Sequence, residues 1–283
     1  MATIGSRQKC LIVTADDFGA AHEVNDAVER AHRDGILTAA SLMVTGDAAE
    51  DAVARAKTMP SLGVGLHVVL VEGRPALPPE QLPHLVDASG QLRTDMVRVA
   101  INIFTKPDAR AQLRAEVEAQ FARFAATGLP LDHVNAHKHF HLHPTIASII
   151  LSVGRRYGMK AIRAPIEPAD VLNRIEPGSG KFDIARPWAR LVRHRMRRAG
   201  MLVPDQVFGL AWSGALDTGR LRGLVEHLPD GLTEIYAHPA TGPYPGSAPG
   251  YAYAEELAAL TDGLAKDRVL GNGVALGRFV DFA

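Results

Sequence analysis

The segment CLIVTADDFG, residues 10–19, joins a continuous apolar run to two adjacent aspartates and a glycine. A short apolar run that ends at a turn signal is typical of a strand buried on both faces, as in parallel sheets. Asp16 and Asp17 would then lie at the carboxyl end of this strand, where α/β folds place their chemistry. Two adjacent carboxylates repel each other, so we expect a cation beside one of them. A divalent metal on one would leave the other free as a base; alternatively, Asp17 caps the helix that begins near Ala20 and Asp16 faces solvent.

Strand and helix patterns alternate after this segment. Helical spacing predicts helices over 20–34 and 47–58, and β-branched or apolar runs predict strands over 36–45 and 62–70. This βαβ order predicts a parallel sheet and an α/β fold. The remaining patterns predict helices over 109–127, 145–157 and 254–266, and short strands over 131–136, 161–163, 207–212, 232–237 and 274–276.

The chain length of 283 residues matches that of a single α/β barrel, so we expect one domain over residues 1–283. The stretch from Glu72 to Pro83 is rich in proline and is not predicted to form regular structure. Together with the segment up to Pro107, it predicts a loop-rich insertion around residues 72–107 rather than a linker between domains.

Charge and cysteine content restrict the classes of function. Lysine plus arginine equals aspartate plus glutamate at 31 each, so no global charge favours nucleic acid, and we expect no nucleic-acid partner. The single cysteine, Cys10, lies in the first apolar run and is expected to be a core residue. The sequence shows neither the h-region of a signal peptide nor an apolar stretch of about 18 residues, which favours a cytoplasmic protein.

Five of the twelve histidines lie between His133 and His143. If this stretch is extended, His137, His139 and His141 point to the same side. One or two of them would bind a metal while the others orient a substrate. Imidazole with one carboxylate suits zinc and its neighbours, and three protein ligands with open positions are typical of a catalytic metal.

Two further histidines lie in or after other predicted strands. His67 lies within the apolar run 62–70, and His238 follows the run 232–237. A lone histidine in such a run is usually a hydrogen-bonded core residue. Here each candidate falls at the carboxyl end of a different predicted strand, which favours a shared functional site.

Four motifs, in this order and spacing, resemble the YdjC-like carbohydrate deacetylases, the family that includes the chitooligosaccharide deacetylases. They are TADDFG at 14–19, GLH at 65–67, the histidine cluster at 133–143 and AHPA at 237–240. Three stretches are similar to the hopanoid-biosynthesis-associated branch: VEGRP at 71–75, NAHKH at 135–139 and YAHPAT at 236–241. The sugar-oligomer branch has aspartate in place of Asn135 and histidine in place of Lys138.

The resemblance implies a distorted (β/α) barrel of the glycoside hydrolase and deacetylase type, and hydrolytic removal of an N-acetyl group from an amino sugar. It implies that Asp17, His67 and His137 bind one divalent metal ion. Zinc is the expected metal, and magnesium, manganese and cobalt are the alternatives. Asp16 would be the general base and His238 the general acid.

Substrate contacts are expected from four further residues, Arg163, His139, His141 and Tyr244. Arg163 follows a short predicted strand and would also hold Asp16 ionised, unless it is only a surface arginine. The stretch 242–253 is expected to cover the site. Its Tyr244 and Tyr251 would stack on a sugar ring, or else they are surface tyrosines in a loop.

The partner implied by the branch resemblance is an N-acetylated glycoconjugate, an N-acetylglucosaminyl hopanoid lipid, with soluble chitooligosaccharides as the alternative. A non-haem iron oxygenase also uses two histidines and one carboxylate. Such enzymes usually take one histidine and the carboxylate from a single short motif, unlike Asp17 and His67. A protein that only binds metal or sugar needs no second acid such as Asp16. A homodimer is left open.

One strongly basic run, Arg186–Arg198, stands out in this neutral chain. At helical spacing its apolar side chains share one face: Trp188, Leu191, Val192 and Met196. This pattern is typical of a helix that lies on an anionic membrane surface, and it predicts peripheral contact with the inner membrane face. The alternative is a helix packed on the barrel with its arginines in solvent.

Overall fold

Seven parallel strands form the sheet of the computed structural model, which describes residues 8–180 and 185–283. The strands are β1 (Lys9–Phe18), β2 (Ala39–Leu42), β3 (Gly63–Val68), β4 (Val134–Ala136), β5 (Gln206–Phe208), β6 (Gly231–Ala237) and β7 (Ala275–Leu276). Their spatial order is β4-β3-β2-β1-β6-β5, and β7 pairs with the start of β1. The predicted parallel sheet is therefore confirmed.

Strand β1 lies at the centre of this sheet because its side chains are apolar on both faces. From Leu11 to Val13 no side chain is exposed. The strand pairs with β2 on one side and with β6 on the other. Its register to β2 shifts between Ala15 and Phe18, the interval that contains the two aspartates.

The sheet closes on itself through short pairings beyond β4. Parallel bridges join Val134 to Ile162 and Ala161 to Leu202. The backbone N–H of Val207 in β5 then donates to the carbonyl of Ile166 at 3.0 Å. Because these last pairings are single bridges rather than full strands, the barrel is distorted. The predicted fold class, a distorted (β/α) barrel, is confirmed.

Helices surround the sheet. They are α1 (His22–Asp34), α2 (Ala49–Lys57), α3 (Met96–Thr105), α4 (Pro107–Ala126), α5 (Pro144–Gly154), α6 (Ala169–Ile175), α7 (Arg186–Arg198), α8 (Thr218–Glu226), α9 (Tyr253–Leu260), α10 (Gly263–Gly271) and α11 (Phe279–Phe282). Those predicted over 20–34, 47–58, 109–127 and 145–157 are present with shifted ends, whereas helices at 169–175, 218–226 and 279–282 were not predicted. The helix predicted over 254–266 is two helices, because Asp262 begins a new one by accepting the N–H of Ala265.

The region 72–107 contains more regular structure than its prolines indicate. Helix α3 lies within it, with Asp95 as its N-cap and with Val99 and Ile103 buried. Glu116 of α4 anchors the earlier part of this region by accepting the backbone N–H groups of Ala76 and Leu77. The sequence interpretation missed α3, since it extended the proline-rich character of the first part over the whole region.

Helix α7 packs against the protein with its apolar face. Val192 and Met196 are buried, whereas Trp188 remains 53% exposed. Arg193 and Arg197 donate to the carbonyl and carboxylate oxygens of Asp205. The prediction that Val192 and Met196 face lipid is wrong, because both side chains are buried against the barrel. Among residues 8–180 and 185–283, none of the helices combines the length and hydrophobicity that a bilayer crossing requires.

Candidate active site

The carboxyl ends of four strands bring the predicted site residues together. Asp16 and Asp17 lie at the end of β1 and His67 near the end of β3. His137 follows β4, and His238 follows β6. All five line one cavity of about 330 Å³. Residues from separate predicted strand ends therefore meet at one cavity, and their shared function stays a prediction.

Asp17, His67 and His137 form a cluster of possible metal ligands, with ligand atoms all within 4.8 Å of one another. Oδ1 of Asp17 lies 3.2 Å from Nε2 of His67 and 3.3 Å from Nδ1 of His137. The two imidazole nitrogens are 3.4 Å apart. Oδ1 of Asp17 is buried and makes no hydrogen bond. A buried carboxylate oxygen without a hydrogen bond, facing two imidazoles, fits a divalent cation of the zinc type.

The charge balance of this cluster also suits a cation. Burial raises the pKa of Asp17, but the neighbouring imidazoles of His137 and His67 outweigh it and hold that pKa well below its usual range. Burial lowers the pKa of His67, but the carboxylates of Asp17 and Asp16 raise it by more, so the net shift is upward. Both pKa shifts arise because a carboxylate and a protonated imidazole stabilise each other in this cluster.

A strained turn directs Asp17 into the cavity. Its φ of 62° is left-handed, and Gly19 follows with φ of 91°. The carbonyl of Asp17 accepts the N–H of Ala20, and the side chain of Asn25 accepts the N–H of Gly19. Helix α1 begins after Ala21 without a side-chain cap. The alternative in which Asp17 caps this helix is therefore wrong.

Asp16 lies in a buried ion-pair network rather than in solvent. Its carboxylate accepts from Nη1 and Nη2 of Arg163 at 2.5 and 3.0 Å. Arg163 also donates to Oε1 of Glu234, from Nη2 at 2.7 Å and from Nε at 3.0 Å. Burial alone would raise the pKa of Asp16, but the guanidinium outweighs it and holds the pKa far below its usual value. Arg163 therefore keeps Asp16 ionised.

Asn135 connects Asp16 with the metal-ligand cluster. Its amide nitrogen donates to Oδ1 of Asp16 and to Oγ of Ser41, both at 2.9 Å. Its carbonyl oxygen lies 2.7 Å from Nδ1 of His67. Because the amide nitrogen is used twice as a donor, its oxygen accepts a hydrogen bond from Nδ1–H of His67, which leaves the lone pair of Nε2 directed at Asp17. The sequence interpretation did not place Asn135 in the site, although its position two residues before His137 puts it on the same strand face.

The histidine cluster is not extended. Residues 137–142 form a short 3₁₀ segment in which Lys138 and His139 both have φ of 53°. The expectation that His137, His139 and His141 point to one side is therefore wrong. His139 pairs through Nε2 with the hydroxyl of Tyr236 at 2.8 Å, and His141 pairs through Nε2 with the carbonyl of Arg163 at 2.9 Å.

The four expected substrate contacts separate into two groups. His139 and Tyr244 line the cavity. Arg163 and His141 are fully buried and contribute no wall to it. These two side chains lie behind the first layer of residues, so their geometry suits positioning of Asp16 rather than contact with substrate. Burial also lowers the pKa of His141 to about 4 and holds it neutral.

An aromatic wall covers one side of the cavity. Tyr244, Tyr251 and Tyr253 line it together with the loop residues between them. The ring of Tyr251 lies 5.4 Å from that of His238. Behind this wall the carboxylate of Glu256 accepts the backbone N–H of His238 and of Leu216. The predicted position of the 242–253 stretch beside His238 is confirmed, whereas the sequence interpretation missed Glu256.

Similarity to known proteins extends over nearly the whole chain. Residues 10–269 match the model of the family described as YdjC-like protein. The chain belongs to the YdjC-like family. Within this family it is 32% identical over 276 residues to the carbohydrate deacetylase of Geobacillus stearothermophilus, with 96% of this chain and 97% of the relative covered.

Two further relatives of this YdjC-like chain show the range of the matches. A chitooligosaccharide deacetylase of Proteus mirabilis is 27% identical over 276 residues, with 96% and 98% of the two chains covered. The match to the carbohydrate deacetylase of Brevibacillus brevis is 41% identical over 147 residues and spans 52% of this chain and 56% of that protein.

A solved structure has the same architecture. It is a protein of Enterococcus faecalis V583 with a suggested role in cellobiose-phosphate cleavage, with a TM-score of 0.75 and 22% identity. The match covers 98% of this chain and 99% of that chain. At this identity the likeness concerns the fold alone. The family resemblance deduced from the sequence motifs is thus confirmed, and the hopanoid-associated branch stays a prediction.

Proposed function

We propose that this YdjC-like protein removes the N-acetyl group from an amino sugar by hydrolysis. The observation that carries the proposal is the convergence of Asp17, His67 and His137 around the buried, unbonded Oδ1 of Asp17. Beside this cluster lie Asp16, an ionised carboxylate, and His238, on the wall of the same cavity. The carbohydrate and chitooligosaccharide deacetylases among the relatives support this reaction class.

Hydrolysis of the amide requires activation of both its carbonyl group and its nitrogen. The carbonyl is a poor electrophile and the amine is a poor leaving group. Asp17, His67 and His137 would hold one divalent metal, for which zinc fits the two imidazoles and one carboxylate best. Manganese, cobalt and magnesium are the alternatives. When bound, such an ion polarises the carbonyl and lowers the pKa of a water molecule.

Asp16 is the proposed general base. Its three hydrogen bonds to Arg163 and Asn135 fix the carboxylate at the cavity wall. A carboxylate has about four lone-pair positions, so one remains for the attacking water. Arg163 keeps Asp16 ionised, so its carboxylate is free to accept a proton, although the low pKa makes it a weak base. A water molecule made more acidic by the divalent metal would offset that weakness. The proton taken by Asp16 then passes to solvent, because a second residue supplies the proton that the leaving nitrogen needs.

His238 is the proposed general acid. Its imidazole lines the cavity, and its Nδ1 makes no hydrogen bond within the protein. Its backbone N–H is held by Glu256, so the residue is positioned by two elements, β6 and α9. Protonation by His238 converts the departing amide nitrogen into a neutral amine. His139 and Tyr244, also on the cavity wall, are the proposed contacts of the sugar.

Two alternatives differ from this proposal in reaction class or acceptor. Non-haem iron oxygenases share the two-histidine, one-carboxylate ligand set but do not need the adjacent Asp16 and His238 pair. For the acceptor, chitooligosaccharides fit the relatives at least as well as an N-acetylglucosaminyl hopanoid lipid. Peripheral membrane contact would rest on the exposed Trp188 and the arginines of α7, since Val192 and Met196 are buried.

Acetate release tests the proposal. Purified protein is stripped with a chelator, reloaded with one divalent metal at a time, and incubated with N-acetylglucosamine conjugates, both oligomeric and lipid-linked. We expect acetate and a free amine in equal amounts, detected by mass spectrometry and an acetate assay. An oxidised product without acetate would favour the oxygenase, and binding without any product would favour a binding protein.

A further inference from the structure

A second cavity adjoins the candidate active site. Its volume is about 750 Å³, and much of its wall is apolar, with Phe140, Leu142, Leu172, Leu210 and Trp212 among the residues that line it. Lys138, His139 and Leu210 line both this cavity and the one that contains Asp16 and Asp17. These three residues are therefore a common wall, and a molecule bound at the catalytic cavity can extend past them.

Two charged side chains of the second cavity already have partners within the protein. The carboxylate of Glu167 accepts the backbone N–H groups of Gly209, Leu210 and Ala211 at 2.9–3.2 Å. Arg220 donates to Glu176 and to the carbonyl of Ala215, and its guanidinium lies 5.4 Å from the ring centre of Trp212. Groups satisfied in this way offer little to the hydroxyls of a second sugar. Nδ1 of His143 and Nε of Arg186 are buried on this wall without a hydrogen-bond partner, but apolar side chains outnumber these two groups, so the wall favours a mainly apolar occupant.

Lys138 of the common wall forms an ion pair with Glu72. The Nζ–Oε1 distance is 2.5 Å, and both side chains are partly exposed. The pair links the segment that follows β3 to the segment that follows β4. Partly exposed ion pairs contribute little to the stability of a fold, so stability alone does not account for this one.

The backbone under this ion pair is strained. In the described part of the chain, four non-glycine residues have left-handed φ values: Asp17, Glu72, Lys138 and His139. All four line the catalytic cavity. Strain of this kind is retained where a site requires a particular shape. Glu72 and Lys138 thus share the backbone property of Asp17, although neither belongs to the proposed chemistry.

Building on the proposed deacetylase function, we infer that Glu72 and Lys138 determine acceptor specificity. The amino sugar lies in the catalytic cavity. The group linked to it crosses the Glu72–Lys138 pair and lies in the second cavity as an apolar aglycone. The pair fixes the common wall at the width that this crossing needs, and the apolar side chains beyond it supply the binding energy.

The test compares kcat/KM for the methyl and hexyl β-glycosides of N-acetylglucosamine and for N,N′-diacetylchitobiose, with acetate release as the readout. Each buried methylene is worth about fourfold in binding, so the hexyl glycoside should exceed the methyl glycoside at least about tenfold. Equal values for the two glycosides, or a preference for the disaccharide over the hexyl glycoside, overturn the inference alone. Absence of acetate from all three substrates overturns the proposed function, and this inference with it.

Variants test the residues named. Lys138→Met and Glu72→Gln should each lower the ratio of kcat/KM for the hexyl glycoside to kcat/KM for the methyl glycoside at least about threefold. The double variant should lower this ratio no further than either single variant, because the two residues of an ion pair act as a unit. Leu142→Gln, on the second cavity alone, should also lower the ratio. The control is Arg74→Gln, which removes an exposed ion pair with Asp47 two residues from Glu72. An unchanged ratio in the three single test variants, all folded by thermal unfolding, contradicts the assignment.

Discussion

At the scale of single residues, the proposed function depends on Asp17, His67 and His137 as metal ligands. We expect Asp17→Ala, His67→Ala and His137→Ala each to lose bound metal and acetate release together, because each removes one of only three protein ligands. Elemental analysis of the purified variants, paired with the acetate assay, is the measurement. His194→Ala, an exposed histidine on α7, is the matched control and should retain metal. Full metal occupancy in two of the three ligand variants would defeat the assignment.

The base is a separate prediction at the same scale. Asp16→Asn should keep the metal but lower kcat about 10²- to 10⁴-fold, since the amide retains the shape and removes only the proton acceptor. Steady-state kinetics and metal analysis on the same preparation check both halves. A kcat within a few-fold of the wild-type value would place the base elsewhere.

The residues proposed as ligands, base and acid could be located from the sequence, and so could Arg163 beside Asp16, but the remaining hydrogen bonds of the site could not. Asp16, His67 and His238 each lie in or just after an apolar run, which is a local signal. Asp16 pairs with Arg163 and Asn135 across separations of 147 and 119 residues. These contacts depend on how strands distant in the sequence align with one another, and no local sequence pattern specifies that alignment. Arg163 was expected both beside Asp16 and at the substrate. Its position beside Asp16 is confirmed, but its side chain is buried behind the cavity wall.

At the scale of elements, the aromatic loop between β6 and α9 carries the next prediction. Tyr244 and Tyr251 line the cavity beside His238. If they stack on the sugar, Tyr244→Ala and Tyr251→Ala should each raise KM about twofold to tenfold, the range expected for loss of one aromatic contact. The value of kcat should change less, because neither side chain takes part in proton transfer. Unchanged KM values in both variants would make these tyrosines part of the loop packing only.

Helix boundaries could be predicted where the hydrophobic periodicity extends over many residues. They could not be predicted where a capping residue or a strained backbone determines the end of an element. The periodicity of α1 and α4 indicates them from sequence alone. Asp262 divides the last predicted helix through a cap, a short-range effect that the apolar pattern does not contain. The left-handed backbone at Lys138 and His139 redirects the histidine cluster, because tertiary contacts of the site override the extended arrangement.

At the scale of the whole molecule, the buried Asp16–Arg163–Glu234 network links stability to pH. The folded-state pKa of Asp16 lies below its ordinary value of 3.8. A carboxyl with a depressed folded pKa stabilises the fold fully above its unfolded pKa. This contribution decreases as the pH falls below the unfolded pKa and is lost only when the pH reaches the much lower folded pKa. The wild-type protein should therefore exceed Asp16→Asn in free energy of unfolding by about 2–3 kcal/mol at pH 6, and this advantage should be about 1 kcal/mol smaller at pH 3.

Urea denaturation of both proteins in the presence of a chelator measures this difference without a metal contribution. The control is Asp170→Asn on α6, whose ion pair with Arg174 is exposed and should change the free energy of unfolding little at either pH. A wild-type advantage that is the same at pH 3 and pH 6 would show that the ionisation of Asp16 does not stabilise the fold.

The central claim is that one metal-dependent hydrolytic site lies at the carboxyl ends of β1, β3, β4 and β6. Acetate release from N-acetylglucosamine conjugates by chelator-treated protein, titrated with zinc, tests it most directly. The account predicts no release without metal, recovery that saturates near one zinc per chain, and no recovery in His67→Ala. Acetate release that is unaffected by the chelator and persists in His67→Ala would contradict it.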